Sequence, residues 1–194
     1  TLDSDGRNVP AALRFQGTQT LSGTGQVVFA GISSSYLIIE GSDQNNPAML
    51  TIGPRITIHG SQSGNIQGYF TNDTLVNQGT ISADTNGMTI NVIPARWING
   101  GLLQAKNGGT LNLGGVFSSA GSASYDNNGG TINLSGTLDN VGNTLALTAA
   151  TGSLTLSGTI RGGVVTESDG AQLIPAGGKL EAVVLNPDAI FADS

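Results

Sequence analysis

The sequence NGGTLNLGG at residues 107–115 returns one repeat later as NGGTINLSG at residues 128–136, with every position shifted by 21. Residues 110–113 (TLNL) and 131–134 (TINL) are the alternating parts of these two copies. The related segment Thr89–Val92 lies 21 positions before residues 110–113, and residues 153–156 lie 22 positions after residues 131–134. Each segment alternates polar and apolar side chains, and a period of two is typical of a strand with one buried face. The repeat therefore predicts one short strand, with its Ile, Leu and Val residues directed inward, in every period of 21–22 positions.

Two more sets of positions share this period, which gives three strands for each repeat. Residues 136–138 and 158–160 both read Gly-Thr followed by Leu or Ile, and they are 22 positions apart. A third set, also spaced by 22 positions, consists of Ile81, Leu103, Tyr125 and Leu147. Asn-Gly pairs precede the strands that begin at residues 89, 110 and 131, and both residues tolerate the positive φ of a sharp corner. Three strands and three corners predict a triangular coil that stacks in parallel on its neighbours, with about nine coils in 194 residues.

The composition favours a chain made only of β-structure. Glycine accounts for 30 of the 194 residues, charged residues account for 10%, and cysteine is absent. Glycine interrupts nearly every stretch long enough for a helix, which excludes a helix bundle or a coiled coil. Without cysteine there is no disulfide, thiol nucleophile or Cys-based metal site. We expect a single β-solenoid domain over residues 1–194, with less regular coils in residues 1–60 and the most regular repeats in residues 75–160.

The charged residues are few and dispersed. Seven Lys and Arg residues stand singly along a chain with a formal net charge of −6, whereas a nucleic-acid surface needs clustered cations. No apolar run approaches the ~20 residues of a membrane-spanning helix. We therefore expect neither nucleic-acid binding nor membrane insertion. The first residues contain neither a Met nor an apolar leader, and we interpret the chain as a mature protein or a segment of a longer one.

Several segments have similar Gly- and Asn-containing turns and similarly spaced apolar residues. They are LSGTGQVVFAG (21–31), LTIGPRITIHGSQSGNI (50–66), LVNQGTISAD (75–84), NGGTLNLGG (107–115) and GSLTLSGTIRGG (152–163). These segments resemble the coils of large secreted bacterial repeat proteins, the filamentous-haemagglutinin-like adhesins and autotransporter passengers. The similarity covers most of residues 20–185. It implies a right-handed parallel β-helix, export to the cell surface or beyond, and a role in display, attachment or scaffolding.

Some β-helices cleave polysaccharides, so carboxylates and cations that share one face are the first candidates for a site. Asp84 and Lys106 are 22 positions apart and are expected to stack on adjacent coils, with Asp126 near Lys106. A carboxylate one coil from an ammonium is more often a surface ion pair than a catalytic pair. Trp97 offers either a sugar-stacking platform or a large core residue. We predict no catalytic residues, and we keep these four residues as a possible ligand face.

Side chains that could bind a metal ion are sparse. His59 is the only histidine, and a transition-metal cluster is not expected without a second His or a Cys. A hydrogen-bonded residue at a strand end is the simpler interpretation of His59. Asp3 and Asp5 stand before Gly6 as in a calcium loop, but the distal bidentate Glu of an EF-hand is absent. We keep Asp3 and Asp5 as a weak calcium candidate and predict no metal site and no cofactor.

Polar residues of the repeated strands form the clearest surface feature. If the Ile and Leu residues point inward, the residues between them point outward as two parallel rows on one flat face. These rows consist of Thr89, Thr110 and Thr131, and of Asn91, Asn112 and Asn133. Regular Thr rows resemble those of ice-binding solenoids. The competing explanation is that Thr has a high strand propensity and that Asn stacks well in parallel coils.

These expectations describe a non-enzymatic, structural or adhesive β-solenoid segment of a secreted or surface-displayed bacterial protein. Its expected partners are surface glycans or a second copy of the chain. One alternative is a filament subunit, because unpaired strands at the ends of a solenoid favour end-to-end pairing. Another alternative is a β-helix that binds or cleaves carbohydrate, and ice binding is a minor one.

Overall fold

The computed structural model describes residues 1–4, 9–120 and 124–186, and all regular secondary structure in these ranges consists of β-strands. The strands are β1 (Leu2–Ser4), β2 (Ala12–Gln16), β3 (Gln19–Leu21), β4 (Gly25–Gly31), β5 (Ser35–Glu40), β6 (Met49–Ile52), β7 (Ile56–Gly60), β8 (Gly64–Gly68), β9 (Thr74–Asn77), β10 (Thr80–Ala83), β11 (Thr89–Val92), β12 (Arg96–Asn99), β13 (Leu102–Lys106), β14 (Thr110–Leu113), β15 (Val116–Ser119), β16 (Ser124–Asn128), β17 (Thr131–Leu134), β18 (Thr137–Asp139), β19 (Thr144–Leu147), β20 (Leu154–Leu156), β21 (Thr159–Arg161), β22 (Val164–Glu167), β23 (Leu173–Pro175), β24 (Lys179–Glu181) and β25 (Val184–Leu185). The all-β prediction is confirmed. Within the same ranges, no helix is long and apolar enough to cross a membrane.

Apart from β16, each strand that has an equivalent strand in the next coil pairs with it in parallel, three strands further along the chain. Sheet A contains β1, β4, β7, β10, β13 and β16, and sheet B contains β2, β5, β8, β11, β14, β17, β20 and β23. Sheet C contains β3, β6, β9, β12, β15, β18, β21 and β24, and a short sheet D contains β19, β22 and β25. The chain therefore forms a β-solenoid of about eight turns with three strands in each coil, as the repeat predicts.

The solenoid has about one turn fewer than a constant period predicts, because its first turns are longer. In sheet C the paired residues Gln19 and Leu50 are 31 positions apart, whereas Val116 and Thr137 are 21 apart. The extra residues of the early turns lie in loops, which carry no periodic signal. At about 4.8 Å for each strand step, eight turns place the first and last strands of sheet C about 34 Å apart.

The repeated strands are in the register that the sequence predicts. Strand β14 pairs residue for residue with β11 and β17, so each Thr of the repeat lies beside a Thr and each Asn beside an Asn. One of the buried rows between them consists of Val92, Leu113, Leu134 and Leu156. These side chains belong to a single apolar core that all three faces of the solenoid enclose. Because the core is shared between coils, no coil can bury its apolar residues alone.

Sheet A ends where the sequence predicts that it continues. The equal spacing of Ile81, Leu103, Tyr125 and Leu147 predicts one continuous row, but β16 and β19 are not paired and Leu147 lies in sheet D. The other strands of the same two coils do pair, β17 with β20 and β18 with β21. At the interruption, the Asn127 N–H donates to the Thr151 carbonyl at 2.8 Å rather than to a strand.

A buried carboxylate anchors the polar loop at residues 42–47. The Asp73 side chain is fully buried, and its Oδ1 accepts the N–H groups of Gly41 at 3.0 Å and Ala48 at 2.7 Å. Its Oδ2 accepts the Phe70 N–H at 2.8 Å. One side chain therefore closes both ends of the loop and satisfies three backbone donors that face the interior.

Corner glycines let adjacent coils approach closely, which gives a first prediction. A Cβ at Gly136 would clash with the carbonyl oxygen of Gly115, which cannot move away because it accepts the Thr137 N–H at 2.7 Å. We expect Gly136→Ala to lower the free energy of unfolding by about 2–3 kcal/mol, measured by denaturation followed by circular dichroism. Gly25→Ala is the control, because a Cβ at Gly25 meets open space. Equal losses in the two variants would contradict the steric explanation.

Candidate functional site

A histidine on the outer face of sheet A is held at both ring nitrogens. His59 Nδ1 lies 3.1 Å from Asp84 Oδ2, and His59 Nε2 lies 2.9 Å from Gln26 Oε1. Asp84 therefore pairs with His59, although it occupies the position equivalent to Lys106 on the preceding coil. Gln26 lies on the side of the ring where a serine nucleophile would have to lie in a Ser-His-Asp triad. The group can orient a histidine, but it does not present a hydroxyl for attack.

A second polar group on the same face contains Asp126. Ser82 Oγ donates to Gln104 Oε1 at 2.9 Å, and Gln104 Nε2 donates to Asp126 Oδ2 at 2.6 Å. Strand register is the reason, because Asp126 is directly beside Gln104 whereas Lys106 is beside Asn128. The structure therefore corrects the expected pairing of Asp126 with Lys106. The carboxylates of Asp84 and Asp126 end in separate hydrogen-bonded groups rather than in one acid–base pair.

Trp97 is not part of this face. It lies on β12 in sheet C, its side chain is 3% exposed, and its ring stacks on Phe117 with centroids 4.4 Å apart. Its Nε1–H donates to the Gly114 carbonyl at 2.9 Å. Trp97 continues an inward row with Leu75 and, through Phe117, with Leu138. The sequence leaves two roles open for Trp97, and the structure shows that it is a core residue. Trp97 is therefore not part of the possible ligand face.

The outward Asn row on sheet B is a continuous ladder of side-chain hydrogen bonds. Asn91, Asn112 and Asn133 each donate from Nδ2 to the Oδ1 of the Asn on the preceding coil, at 2.9, 2.8 and 3.4 Å. The ladder begins at Asn65, and it ends at Ser157, whose Oγ donates to Asn133 Oδ1 at 2.8 Å. It is therefore longer than the repeat predicts. Because each Asn joins two coils, the row holds the stack together along its surface.

The calcium candidate lies only partly within the described residues. Asp3 is an exposed residue of β1, whereas Asp5 lies outside the ranges that the structure describes. Within those ranges, no group of three or more His, Asp or Glu side chains is arranged to hold a metal ion. Asp3 and Asp5 therefore stay a sequence-based hypothesis.

A cleft of about 460 Å³ opens between β16 and β19, where sheet A ends. Leu138 and Leu145 contribute apolar surface to it, together with three alanines. Its polar lining consists of Ser119, Ser124, Tyr125, Asn140, Asn143, Thr144, Thr148 and Thr151. Hydroxyl and side-chain amide groups are thus mixed with apolar surface in the cleft, and the lining that the structure describes contains no Asp, Glu, Lys, Arg or His.

Tyr125 brings a titratable hydroxyl into the cleft. The hydroxyl lies 3.0 Å from Ser119 Oγ. Burial raises the pKa of Tyr125 to about 12, and the hydrogen bond from Ser119 opposes this shift. The phenol is therefore neutral at physiological pH, and it can both donate and accept a hydrogen bond.

The raised pKa of Tyr125 predicts a loss of stability in alkali. Below pH 10 the phenol is protonated in both the folded and the unfolded chain; between about pH 10 and 12 the unfolded chain ionises first, which favours unfolding. We expect the free energy of unfolding to fall over this range by at most about 2–3 kcal/mol. Tyr125→Phe should abolish this part of the pH dependence, whereas Tyr69→Phe, at an exposed ring, should preserve it. Identical pH profiles for wild type and Tyr125→Phe would contradict the assignment.

The cleft residues escape the sequence analysis, although the repeat holds a signal for them. Within sheet A, Tyr125 takes the place of Leu103 and Asn127 takes the place of Ala105 on the next coil. Two polar replacements at inward positions of one strand mark the coil at which the apolar row fails. The equal spacing that extends to Leu147 masks this signal, because it suggests that the row continues.

No family model, curated protein or solved structure matches the chain. The shared feature with secreted β-helix repeat proteins is therefore the β-solenoid itself.

Proposed function

We propose that the chain is a stiff, non-enzymatic segment of a secreted or surface-displayed protein, which holds binding surfaces away from a cell or serves as an attachment face. The observation that supports this role most is the unbroken pairing of sheets B and C, each with eight strands in succession. Every interior coil is therefore hydrogen-bonded to both neighbours on at least two sides. Bending the stack would break bonds in several coils at once, which makes the rod stiff along its axis.

Side-chain contacts between coils support the same role. The amide ladder from Asn65 to Ser157 joins five successive coils. At a buried corner, Asn77 Nδ2 donates to Asn99 Oδ1 at 2.8 Å. On the outside, Arg161 Nη2 donates to Asp139 Oδ2 at 2.7 Å, and this contact lowers the pKa of Asp139. These polar side chains thus join neighbouring coils.

Single-molecule energy transfer tests the stiffness directly. The chain has no native cysteine, so Gln19→Cys and Lys179→Cys, on the first and last strands of sheet C, can carry the two dyes. The proposal expects a narrow distance distribution centred at about 34 Å between the labelled backbone positions, from the spacing of stacked strands. A matched pair of exposed positions on one strand of sheet C, Arg96→Cys and Ile98→Cys, reports the width caused by the dye linkers. A distribution much broader than that of the control would contradict the scaffold role.

A filament subunit is the second candidate, because β2 is paired only with β5 in the described part of the chain and offers an open edge. Light scattering of the same protein over a wide concentration range separates the two roles. A constant mass supports the spacer, and a mass that grows with concentration, with transfer between singly labelled copies, supports the filament. Release of unsaturated or reducing products from polyuronides with calcium present would overturn the non-enzymatic proposal.

A further inference from the structure

Backbone N–H and C=O groups that are not paired with a neighbouring strand face the cleft between β16 and β19. In the described chain, β16 pairs only with β13, and β19 pairs only with β22. Backbone N–H and C=O groups of alternate residues in a strand face the same neighbour. The Asn127 N–H points away from β13 to Thr151, so the backbone of Tyr125, two residues earlier, also faces the cleft. On the opposite edge, the Leu147 carbonyl accepts the N–H of Ser168, the residue that follows β22. Because neighbouring residues of a strand face opposite sides, the backbone of Ala146 faces β16.

Side chains around this opening supply hydrogen bonds without charge. Ser124 and Thr144 are exposed at the mouth of the cleft, and their hydroxyl groups have no intramolecular hydrogen bond among the described residues. The Tyr125 hydroxyl uses one of its bonds on Ser119 and keeps capacity for a second. Leu138 and Leu145 add apolar surface beside these groups. Hydroxyl groups next to a comparable apolar surface suit a ligand that combines both, such as a sugar ring with its hydroxyl groups and its apolar C–H face.

We propose that the cleft between β16 and β19 binds an uncharged, hydroxyl-rich small molecule of the size of a mono- or disaccharide. The volume of about 460 Å³ lies within the range of small-molecule pockets. An acidic sugar would find no cation in the described lining, and a metal ion would find no carboxylate. The inference goes beyond the scaffold role and does not depend on it, because a spacer without this activity is still a spacer.

The length of the open edge favours this ligand over a peptide. β19 has only four residues, and the Thr151 Oγ1 already donates to the Ala146 carbonyl at 3.0 Å. Addition of a strand needs a longer row of free backbone groups than this edge provides. A small ligand needs only a few of them, together with the hydroxyls of Ser124 and Thr144.

The test is a titration of the isotope-labelled chain with neutral sugars, followed by amide chemical shifts in NMR spectra. The probes are glucose, galactose, mannose, N-acetylglucosamine, maltose and cellobiose, with sorbitol as an open-chain polyol. Galacturonate and a short extended peptide of alternating Thr and Val are the competing classes. We expect saturable shifts from at least one neutral sugar, confined to residues 119–120, 124–126, 138–140 and 143–151.

Isosteric variants decide whether the cleft is the site. Thr144→Val removes one hydroxyl from the cleft and is expected to weaken binding about five- to tenfold. The control is Thr131→Val, which alters an exposed strand threonine on sheet B outside the cleft and should leave the affinity unchanged. Tyr125→Phe is expected to weaken binding by a similar factor, and circular dichroism shows whether each variant is folded.

Four results would overturn the proposal. They are the absence of saturable shifts with any neutral sugar or polyol, tighter binding of galacturonate, preferential binding of the peptide, and equal affinities for Thr144→Val and Thr131→Val. None of these results bears on the stiffness measured by energy transfer, so failure here is distinguishable from failure of the scaffold role.

Discussion

Replacing Asp73 by alanine is expected to lower the free energy of unfolding by about 4 kcal/mol, since a buried donor without a partner costs about 1–3 kcal/mol. Three backbone N–H groups, those of Gly41, Ala48 and Phe70, lose their acceptor at once. The fully buried site leaves little room for water to replace the carboxylate. Denaturation followed by circular dichroism measures the loss. Asp73→Asn should lose less, because an amide oxygen still accepts two of the three bonds.

The matched control for this change is Asp43→Ala. Asp43 also accepts backbone N–H groups, those of Asn45 at 2.7 Å and Asn46 at 3.0 Å. Hydrogen bonds from the Asn46 side chain and from these N–H groups lower the pKa of Asp43. Asp43 lies on the exposed tip of the loop, so water can replace its carboxylate and the stability should change little. A loss for Asp73→Ala no larger than that for Asp43→Ala would show that the buried anchor is unimportant.

The second large effect is expected for Trp97→Ala, which should lower the free energy of unfolding by about 3–5 kcal/mol. The variant removes a buried ring that stacks on Phe117, and the cavity borders two adjacent coils. Circular dichroism is the appropriate probe, because Trp97 is the only tryptophan. Trp97→Phe keeps an aromatic ring in the row and should lose clearly less, since the main missing contact is the hydrogen bond to Gly114.

Ile98→Ala is the surface control for the same strand. Ile98 follows Trp97 on β12 but points outward and is 43% exposed. Its truncation should change stability by no more than about 0.5 kcal/mol. If Trp97→Ala were as mild as Ile98→Ala, the ring would not be a core residue, and its role as a sugar platform would have to be reconsidered.

The fold follows from the sequence because the same alternation recurs in successive coils. Residues 89–92, 110–113 and 131–134 must pack in the same way for their apolar members to be buried, and parallel stacking is the arrangement that achieves this. The number of turns is harder to obtain. Gln19 and Leu50 are in register across 31 positions, and the loop residues between them have no pattern that marks them as additional.

The side-chain partners on sheet A show the same division between regular and irregular coils. Asp126 is 22 positions after Gln104 and 20 after Lys106, so strict use of the period would have given the observed partner, Gln104. His59 and Asp84 are 25 positions apart, because β7 and β10 pair with an offset of 23 positions and Asp84 lies two residues further along the same face. The cleft depends on an interruption of sheet A, which a regular repeat cannot indicate.

Hydrogen exchange read residue by residue tests the central claim, that the coils form one hydrogen-bonded stack, most directly. The account predicts that backbone amides in β6 to β15 are all strongly protected, with similar opening free energies, because local opening must break bonds to two neighbouring coils. It also predicts fast exchange for the cleft-facing amide of Tyr125 relative to Leu103, its partner on the preceding coil. Protection that falls sharply at a coil boundary before β16, or coils that exchange independently, would contradict the account.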